Sequence, residues 1–357
     1  MESLRGLILS GGAGTRLRPI THTSAKQLVP VANKPVLFYG IEALVEAGVT
    51  EVGIVIAPET GDEIAQAVGD GSALGAQVTY IQQQEPLGLA HAVLTAEEYL
   101  RGGPFVMYLG DNLLRDGITG LVSAFRDSEP DALILLTRVP DPGNYGVAEL
   151  EGDRVVRLIE KPSQPPTDLA LVGVYMFGAA IYEAAKAIEP SGRGELEITD
   201  AIQWLIDGGK RVERRTVTGW WKDTGQLDDM LEANRLVLED IERRVEGELV
   251  DSKVDGRVVV EHGARLERSV VRGPAIVGAG ARITDAYVGP YTSIDAGVVV
   301  ERAEVEHSIL LAGASVRDLG SRMEASLLGR NVTLSRGDGL PKTLRMIIGD
   351  NSEIRIP

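Results

Sequence analysis

The sequence predicts an α/β protein of two parts, a helix-covered sheet followed by a coil of short parallel strands. Residues before about 245 alternate apolar runs with helical patterns, which is typical of a mostly parallel sheet covered on both faces. After Gly247 the helical patterning disappears, and Gly, Val, Ile and Ala dominate. The 357 residues also exceed what one hydrophobic core usually serves. We therefore expect one domain over residues 1–245 and another over residues 246–357.

The elements of the first domain follow from its periodicity. Buried apolar runs predict strands at 4–10, 51–57, 78–83, 105–109, 132–139, 146–150, 154–160, 169–177 and 211–218. Amphipathic patterns predict helices at 36–48, 61–69, 88–100, 117–127, 199–208 and 226–244.

The second domain has an internal repeat. Aliphatic residues recur every five or six positions, and every third one falls about 17 residues on. The three resulting rows are Val260, Val277, Ile294, Leu311; Leu249, Leu266, Ile283, Val300; and Val254, Val271, Val288, Val305. Three rows at this period predict a triangular coil with one aliphatic per side pointing inward. The alternative, a β-sandwich, would not hold the spacing over four turns. The stretch 335–345 interrupts the repeat and predicts a protruding loop.

Composition excludes several classes of function. The chain has no cysteine, which rules out disulfides and thiolate metal sites, and its four histidines disfavour a histidine-built zinc site. A net charge of −16 disfavours binding to nucleic acid or to an anionic membrane. No apolar run approaches the roughly 20 residues of a membrane span, and the N-terminus lacks a signal-peptide pattern. These features fit a cytoplasmic location.

A glycine-rich turn, residues 9–17, follows the first predicted strand. Such glycines let backbone N–H groups approach a phosphate chain. A dinucleotide-binding loop is excluded because Leu17 occupies the third glycine position, and a P-loop is excluded because no Gly-Lys-Ser/Thr follows. Arg16 ends this turn and Lys26 lies ten residues on. The two cations would neutralise a triphosphate, or they simply flank a tight turn in solvent.

Two aspartates stand where oxygen ligands for a metal are expected. Asp111 follows the C-terminal end of a buried strand, where ligands bind in open α/β sheets. Asp223 follows another strand and an aromatic pair. Two carboxylates near a phosphate-binding loop favour Mg²⁺. The alternative role for Asp111 is to cap the following segment.

Later strands carry residues suited to a small polar ligand. Glu160 and Lys161 are adjacent. Such a pair would bind the ligand, or it forms a salt bridge in solvent. Gly146 and Gly173, the latter two residues before Tyr175, would allow close backbone approach, or they mark bulges.

The order of these segments resembles the sugar-1-phosphate nucleotidyltransferases over residues 3–240, through the motifs GGAGTRL, SAKQLVPVANKP, QQQEPLGLA, YLGDN, NYGV, IEKP, GVY, GELEITD and WWKDTG. The Lys26-Gln27 pair favours the glucose-1-phosphate thymidylyltransferase branch. The C-terminal coil resembles the left-handed parallel β-helix of hexapeptide-repeat proteins, which the long form of that branch carries. The resemblance thus implies a Rossmann-like mixed-sheet nucleotidyltransferase domain before the β-helix. Ala32-Asn33, before Lys34-Pro35, departs from the shorter members.

The resemblance also implies roles for the matched residues. The nucleotide would be bound by Gly11, Gly12, Arg16, Lys26, Gln83 and Gly88, the last two on the thymine. Mg²⁺ would be held by Asp111 and Asp223. The sugar phosphate would be bound by Lys161, with Gly146, Glu160, Gly173 and Tyr175 lining the hexose pocket. Arg193 and Glu195 lie in a matching segment.

The implied reaction joins glucose 1-phosphate to dTTP, giving dTDP-glucose and pyrophosphate for deoxysugar biosynthesis. It is a Mg²⁺-dependent in-line displacement in which Arg16, Lys26 and Lys161 help to bring two polyanions together. The β-helix would serve homo-oligomerisation.

Three other functions stay open. The enzyme would be a uridylyl- or guanylyltransferase if the base pocket selects another nucleotide. It would be bifunctional if the β-helix were an acyltransferase with a basic histidine, but His262 and His307 lie in different rows and are expected to be exposed at coil corners. A non-enzymatic sensor would lack the metal and phosphate residues that this sequence retains.

Overall fold

The computed structural model describes residues 4–12, 14–22, 24–336 and 354. The chain forms two compact units, Met1–Ala13 with Val36–Asp223, and Gly14–Pro35 with Thr224–Pro357. The second unit thus combines residues 14–35, which include the last part of the glycine-rich turn, with the residues from 224 onward. The domain boundary expected at residue 246 stays a prediction. Of the loop predicted at 335–345, residues 337–345 lie outside the described part of the chain. No helix among the described residues is long and apolar enough to cross a membrane.

Up to Asp223 the strands are short to medium in length. They are β1 (Arg5–Ser10), β2 (Pro30–Val31), β3 (Lys34–Pro35), β4 (Glu51–Ile56), β5 (Gln77–Gln82), β6 (Phe105–Leu109), β7 (Asn112–Leu114), β8 (Ala132–Arg138), β9 (Gly146–Glu151), β10 (Arg154–Glu160), β11 (Leu169–Phe177), β12 (Val212–Thr216) and β13 (Trp221–Asp223). The α-helices are α1 (Val36–Glu46), α2 (Gly61–Val68), α3 (Leu89–Thr95), α4 (Glu97–Leu100), α5 (Thr119–Ser128), α6 (Ala180–Ala187), α7 (Ile198–Asp207) and α8 (Leu227–Leu238).

The main sheet of the first unit is mixed, which confirms the Rossmann-like fold. Its order is β10-β9-β11-β6-β1-β4-β5, and β8 pairs with both β11 and β12. Strands β6, β1, β4 and β5 are parallel neighbours, as alternation with helices predicts. Strand β11 runs antiparallel to both β6 and β8, and β9 runs antiparallel to β10, to which a two-residue turn connects it. The sheet is therefore less parallel than the alternation alone suggests.

The core of this unit lies against the buried strands. The ring centroids of Phe105 on β6 and Phe177 on β11 are 5.6 Å apart, and Tyr182 on α6 packs at 5.8 Å from Phe105. Helix α7 contributes Ile202 and Leu205 to the same cluster. Burial of these side chains fixes the strands whose ends carry the predicted site residues.

Helix α8 is shorter than predicted. It ends at Leu238, whereas the pattern predicted a helix to 244. The residues after it become extended because Arg244 and Val245 pair with the strand at Val258–Val260. Residues 239–244 are mostly charged and have only a weak helical propensity, which strand pairing at Arg244 overrides.

The C-terminal strands form three stacks of short parallel strands that fit a left-handed β-helix, as predicted. The first stack is β14 (Arg244–Val245), β17 (Val258–Val260), β20 (Ala275–Val277), β23 (Thr292–Ile294), β26 (Ile309–Leu310) and β29 (Leu327–Leu328). The second is β15 (Glu248–Val250), β18 (Arg265–Glu267), β21 (Arg282–Thr284), β24 (Val299–Glu301), β27 (Ser315–Arg317) and β30 (Thr333–Ser335). The third is β16 (Lys253–Asp255), β19 (Val270–Arg272), β22 (Tyr287–Val288), β25 (Glu304–Glu306) and β28 (Met323–Glu324).

The inward rows agree with the predicted ones except at one position. Val260 is in register with Val277, and Val277 with Ile294, but Ile294 is in register with Leu310 and not Leu311. The prediction of Leu311 was wrong because this coil is one residue shorter than the 17-residue period. Leu310 is accordingly fully buried.

One corner of the β-helix alternates acidic and basic residues in the left-handed backbone region. Asp251, Arg268, Asp285, Arg302 and Asp318 all have φ between 46° and 57°. Arg268 contacts Asp285 at 2.7 Å, and Arg302 contacts Asp318 at 2.5 Å. The ion pairs between coils help to offset the cost of this backbone conformation, although exposed pairs contribute little individually.

His307 corrects the expectation of two exposed corner histidines. Its backbone is at a corner, with φ 44°, but its Nε2 is buried and its ring packs edge-on against Tyr291. His262 is exposed, as expected. The tight corner directs the ring of His307 toward Tyr291 on the neighbouring coil, so the ring packs against that coil.

Candidate active site

The carboxyl ends of the parallel strands lie at one edge of the sheet. Leu9 on β1 is in register with Leu109 on β6, and Gly110 N donates to Leu9 O at 3.0 Å. On the other side, Gln83 N donates to Ile56 O at 2.9 Å, directly beyond β4 and β5. The glycine turn, Gln83 and Asp111 therefore leave the sheet at the same edge, where ligands bind in open α/β sheets.

Gln83 forms a corner with the glycine turn and the start of α3. Its side chain is largely buried, and Nε2 lies 3.3 Å from Gly88 O and 2.8 Å from His91 Nδ1. A Cβ atom added to Gly11 would lie 3.5 Å from Gln83 Oε1. The amide is thus held in one orientation with its oxygen toward the glycine turn.

Gly88 is required by its surroundings. Its φ is 105°, and an added Cβ would lie 2.4 Å from Leu196 O. The adjoining backbone is tied to the same residue, since Ala90 N donates to Leu196 O and Leu196 N donates to Leu87 O, at 3.0 and 2.8 Å. Only glycine fits this position.

Asp111 and Asp223 are brought together by two short antiparallel strands. In the β7–β13 pair, Asp223 is in register with Asn112, the residue after Asp111. The buried Asn112 donates from Nδ2 to Asp111 Oδ1 at 3.0 Å, while its Oδ1 accepts from Trp221 Nε1 at 2.6 Å and Gly173 N at 3.2 Å. Asn112 therefore links the two carboxylate-bearing strands to β11.

The donor set of this pair fits a hard divalent cation. Within the described ranges no group of three or more His, Cys, Asp or Glu side chains is placed to hold a metal. The pair offers carboxylate oxygens only, and both side chains are half-buried. Mg²⁺ is commonly bound by one or two carboxylates together with waters and substrate phosphates, so two aspartates fit it, whereas a structural zinc site would need four protein ligands.

Glu160, Lys161 and Gly146 meet where β9 pairs with β10. Gly146 is in register with Glu160, and a Cβ added to Gly146 would lie 3.2 Å from Glu160 Oε2. Lys161 has a left-handed backbone, with φ 41°, and its Nζ lies 3.5 Å from Glu160 Oε1. Burial raises the pKa of Tyr175, and the nearby charge of Glu160 adds to the shift. Gly173 has room for no side chain, since its Cβ would lie 2.6 Å from Asn112 Oδ1.

A buried carboxylate that the sequence analysis did not single out holds Arg193 beside this group. Glu197 Oε1 accepts from Arg193 Nε at 3.1 Å and from Ser191 Oγ at 2.7 Å, and its Oε2 accepts from Arg193 Nη2 at 2.9 Å. Arg193 Nη2 also lies 3.4 Å from Glu160 Oε1. Burial raises the pKa of Glu160; Lys161 opposes the shift and Glu197 adds to it.

Arg16 and Lys26 belong to the second unit, and Gly14, two residues before Arg16, packs against Lys26. With φ 61°, Gly14 has no room for a side chain, because a Cβ would lie 2.9 Å from Lys26 Cβ. Thr21 Oγ1 donates to Gly14 O at 2.6 Å and fixes the turn. Arg16 is exposed in a short 3-10 helix, and Lys26 is half-buried at the start of another.

The structure therefore groups the predicted residues into four sets: Gly11, Gln83 and Gly88; Asp111 and Asp223; Gly146, Glu160 and Lys161; Arg16 and Lys26. The sequence analysis missed Asn112, His91, Glu197 and Thr199, whose Oγ1 donates to Glu160 Oε2 at 3.2 Å. Three of these lie in motifs that the sequence analysis quoted, since Asn112 follows Asp111 in YLGDN and both Glu197 and Thr199 lie in GELEITD.

Comparison with known proteins gives the same assignment as the motifs. Residues 5–240 match the family model described as nucleotidyl transferase. The chain is 55% identical over 356 residues to a glucose-1-phosphate thymidylyltransferase of Streptomyces griseus, covering 99% of each chain. It is 46% identical over 358 residues to the low-salt glycan biosynthesis nucleotidyltransferase Agl11 of Haloferax volcanii, covering 99% of this chain and 100% of that one.

A solved structure is also similar. It is described as a glucose-1-phosphate thymidylyltransferase of Bacillus anthracis in complex with sucrose, and the TM-score is 0.63 at 32% identity, covering 68% of this chain and 97% of that chain. The motifs, the mixed sheet and the full-length relatives agree, and the chain belongs to the nucleotidyl transferase family, in its group of glucose-1-phosphate thymidylyltransferases.

Proposed function

We propose that this protein transfers a thymidylyl group from dTTP to glucose 1-phosphate, releasing pyrophosphate and forming dTDP-glucose for deoxysugar biosynthesis. Substrates of the thymidylyltransferase family are a sugar phosphate and a nucleoside triphosphate. The structural observation that carries the proposal is the β7–β13 pair, which aligns Asp223 beside Asn112 and Asp111 at the ligand-binding edge of the sheet. Around it lie a corner suited to a planar base and a corner suited to a sugar.

The reaction needs no protein nucleophile. A phosphate oxygen of glucose 1-phosphate attacks the α-phosphorus of dTTP, a new P–O bond forms, and the bond to the bridging oxygen breaks as pyrophosphate leaves. Both reactants are anionic, so the enzyme must hold them together against repulsion. We propose that Arg16 and Lys26 bind the triphosphate, with Gly11 and Gly12 allowing close approach, and that Lys161 binds the sugar phosphate.

Enzymes of the family generally use a divalent metal ion. We propose Mg²⁺, held by Asp111 and Asp223, because an all-oxygen donor set of two carboxylates favours it. The bound ion supplies charge neutralisation to the phosphates. Asn112 keeps the backbone of both aspartates in place.

Selectivity would come from the two flanking corners. Gln83, held by Gly88 O and His91, has the fixed amide that could pair with thymine. Glu160, Gly146, Gly173 and Tyr175 would line the hexose pocket, with Glu160 accepting hydrogen bonds from sugar hydroxyls. We also propose that the enzyme acts in the cytoplasm as a homo-oligomer.

A pyrophosphate-release assay tests the proposed function. With Mg²⁺ present, the wild-type protein is assayed with dTTP, UTP and GTP, each against glucose 1-phosphate and other sugar 1-phosphates. We expect the highest kcat/KM for dTTP with glucose 1-phosphate. A preference for UTP or GTP would instead support the uridylyl- or guanylyltransferase alternative, and no release with any pair would reject the enzyme.

Glu197→Gln is expected to raise the KM for glucose 1-phosphate by roughly tenfold and to leave the KM for dTTP within about twofold. Without the charge of Glu197, Arg193 loses its fixed orientation beside Glu160. The acid limb of kcat/KM for glucose 1-phosphate should also move to lower pH. The reason is that Glu197 adds to the raised pKa of Glu160, and Glu160 must be ionised to accept from hydroxyl groups.

The matched control is Glu189→Gln, an exposed carboxylate between α6 and α7. It should leave both KM values and the pH profile unchanged. Equal loss for both substrates in Glu197→Gln, with no pH shift, would contradict a positioning role.

A further inference from the structure

The β2–β3 hairpin is fastened to the β-helix by side chains that the proposed mechanism does not use. The three side chains are Asn33 in the hairpin turn, Asn234 on α8 and Ser293 on β23, and we call them the latch. We propose that the latch makes the β-helix a positioning element for catalysis, holding the segment that carries Arg16 and Lys26 in its working position. This inference rests on the proposed function only for the role of these two cations.

The hairpin turn has an unusual backbone. Val31 pairs with Lys34, and the two residues between them, Ala32 and Asn33, both have left-handed φ values of 49° and 60°. Two-residue turns of this kind are favoured by Asn-Gly or Gly-Gly, and alanine is disfavoured at such a position. A strained residue persists when its surroundings over-determine it. Here the surroundings are α8 and the β-helix.

Both turn residues bind to these elements. Ala32 N donates to Asn234 Oδ1 at 2.8 Å, and Asn33 Nδ2 donates to Ile294 O at 2.7 Å. The turn is therefore the part of the hairpin that contacts α8 and the β-helix strand β23.

Asn234 is the centre of the latch. It is fully buried, its Oδ1 also accepts from Ser293 Oγ at 2.7 Å, and its Nδ2 donates to Tyr291 O at 3.1 Å. A buried amide with these partners has little freedom to turn, and removal of a partner weakens the network that holds it. The hairpin and the β-helix coil at residues 291–294 are thus held through one side chain.

The hairpin is linked to Lys26 by a short, buried connection. Lys26–Leu28 form a 3-10 helix, Val29 is buried, and β2 begins at Pro30. Because this connection has little slack, a displacement of the hairpin shifts Lys26, and Gly14 packs on Lys26 Cβ. A misplacement of about 1 Å in a positioned catalytic group can cost on the order of 10²-fold in rate.

Asn33→Asp tests the latch by changing one atom. Aspartate tolerates a left-handed backbone but replaces the donor to Ile294 O with an oxygen, which repels it. The matched control is Asn331→Asp, an exposed β-helix residue with φ 59°. A second pair is Ser293→Ala with Ser269→Ala as control. Ser269 is a buried serine whose Oγ lies 2.8 Å from Glu267 O, 3.2 Å from Ile283 O and 3.1 Å from Ala286 N, all within the β-helix.

We expect Asn33→Asp and Ser293→Ala to lower kcat/KM for dTTP by roughly 10- to 100-fold, with the KM for glucose 1-phosphate changed less than about twofold. Hydrogen exchange of the amides of residues 24–35 should accelerate in these variants and not in the controls. The inference would be overturned if Asn33→Asp had the kinetics and hydrogen exchange of the wild-type protein. It would also be overturned if kcat/KM fell equally for both substrates and the control variants showed the same loss. If the wild-type protein releases no pyrophosphate, the proposed function fails, and the exchange measurement alone decides whether the latch exists.

Discussion

Asp111→Asn is expected to lower turnover by roughly 10²–10³, by analogy with removal of one transition-state-stabilising group. Asparagine has nearly the same shape and can still accept from Asn112 Nδ2, so the β7–β13 pair should persist. What is lost is a negative charge and one oxygen ligand. Asp223→Asn should have a similar effect, because Asp223 lies on the paired strand. Turnover is measured by pyrophosphate release and folding by thermal denaturation.

Asp207→Asn is the control for this pair. Asp207 is an exposed carboxylate at the end of α7 that accepts from Gln203 Nε2 at 2.8 Å. It removes the same charge from the molecule, whose net charge is −16. Near-normal turnover in Asp111→Asn, or an equal loss in Asp207→Asn, would show that the aspartate pair does not serve the chemistry.

Lys26→Ala is expected to lower turnover by a comparable factor, roughly 10²–10³. The alanine keeps the Cβ atom that packs against Gly14, so the turn carrying Arg16 should retain its shape. The variant removes only the stem and the positive charge that would face the triphosphate. Lysine is scarce in the chain, and no other lysine lies within the first 33 residues to replace it.

Lys186→Ala is the matched control for Lys26. Lys186 lies on α6, is largely exposed, and pairs with Glu97 at 2.7 Å. Such a surface pair contributes little to stability, so both folding and turnover should be unchanged. If Lys26→Ala kept turnover within twofold of the wild-type value, the assignment of Lys26 to the phosphates would be wrong.

Elements with a strong period could be predicted from the sequence, and short ones could not. Strands β6 and β11 begin and end where the apolar runs predict, because residues buried on both faces leave a continuous apolar signal. Strand β10 also has its predicted bounds, although exposed residues interrupt its buried positions. Strands β7 and β13 have three residues each, too few for any period to show. Helix α6 was missed because its alanine-rich sequence follows the end of β11 almost directly.

The β-helix was predictable because its period is long-range and regular. The rows follow from a 17-residue spacing, and two of the three rows are as expected. The exception at Leu310 arises where one coil loses a residue, and an average period cannot locate such a deletion.

Site residues in motifs were recognisable, whereas the side chains that support them were not. Asp111 and Asp223 are 112 positions apart in the sequence, and the adjacent strands β7 and β13 bring them together. The rule that ligands bind at the carboxyl ends of parallel strands predicts this arrangement only in part. Asn234 contacts Ala32 across 202 positions, and a lone asparagine in an amphipathic helix gives no local sign of this. Long-range hydrogen bonds of this kind depend on tertiary packing, so they appear only in the structure.

The most direct test of the account is metal binding by the aspartate pair, measured with Mn²⁺ as a paramagnetic substitute for Mg²⁺. Mn²⁺ is titrated into the full-length protein in the presence of dTTP and followed by electron paramagnetic resonance. We expect one bound Mn²⁺ per chain in the wild-type protein and in Asp207→Asn, and an affinity at least roughly tenfold lower in both Asp111→Asn and Asp223→Asn. Equal Mn²⁺ affinity in all four proteins would contradict the placement of the metal at Asp111 and Asp223, and with it the proposed mechanism.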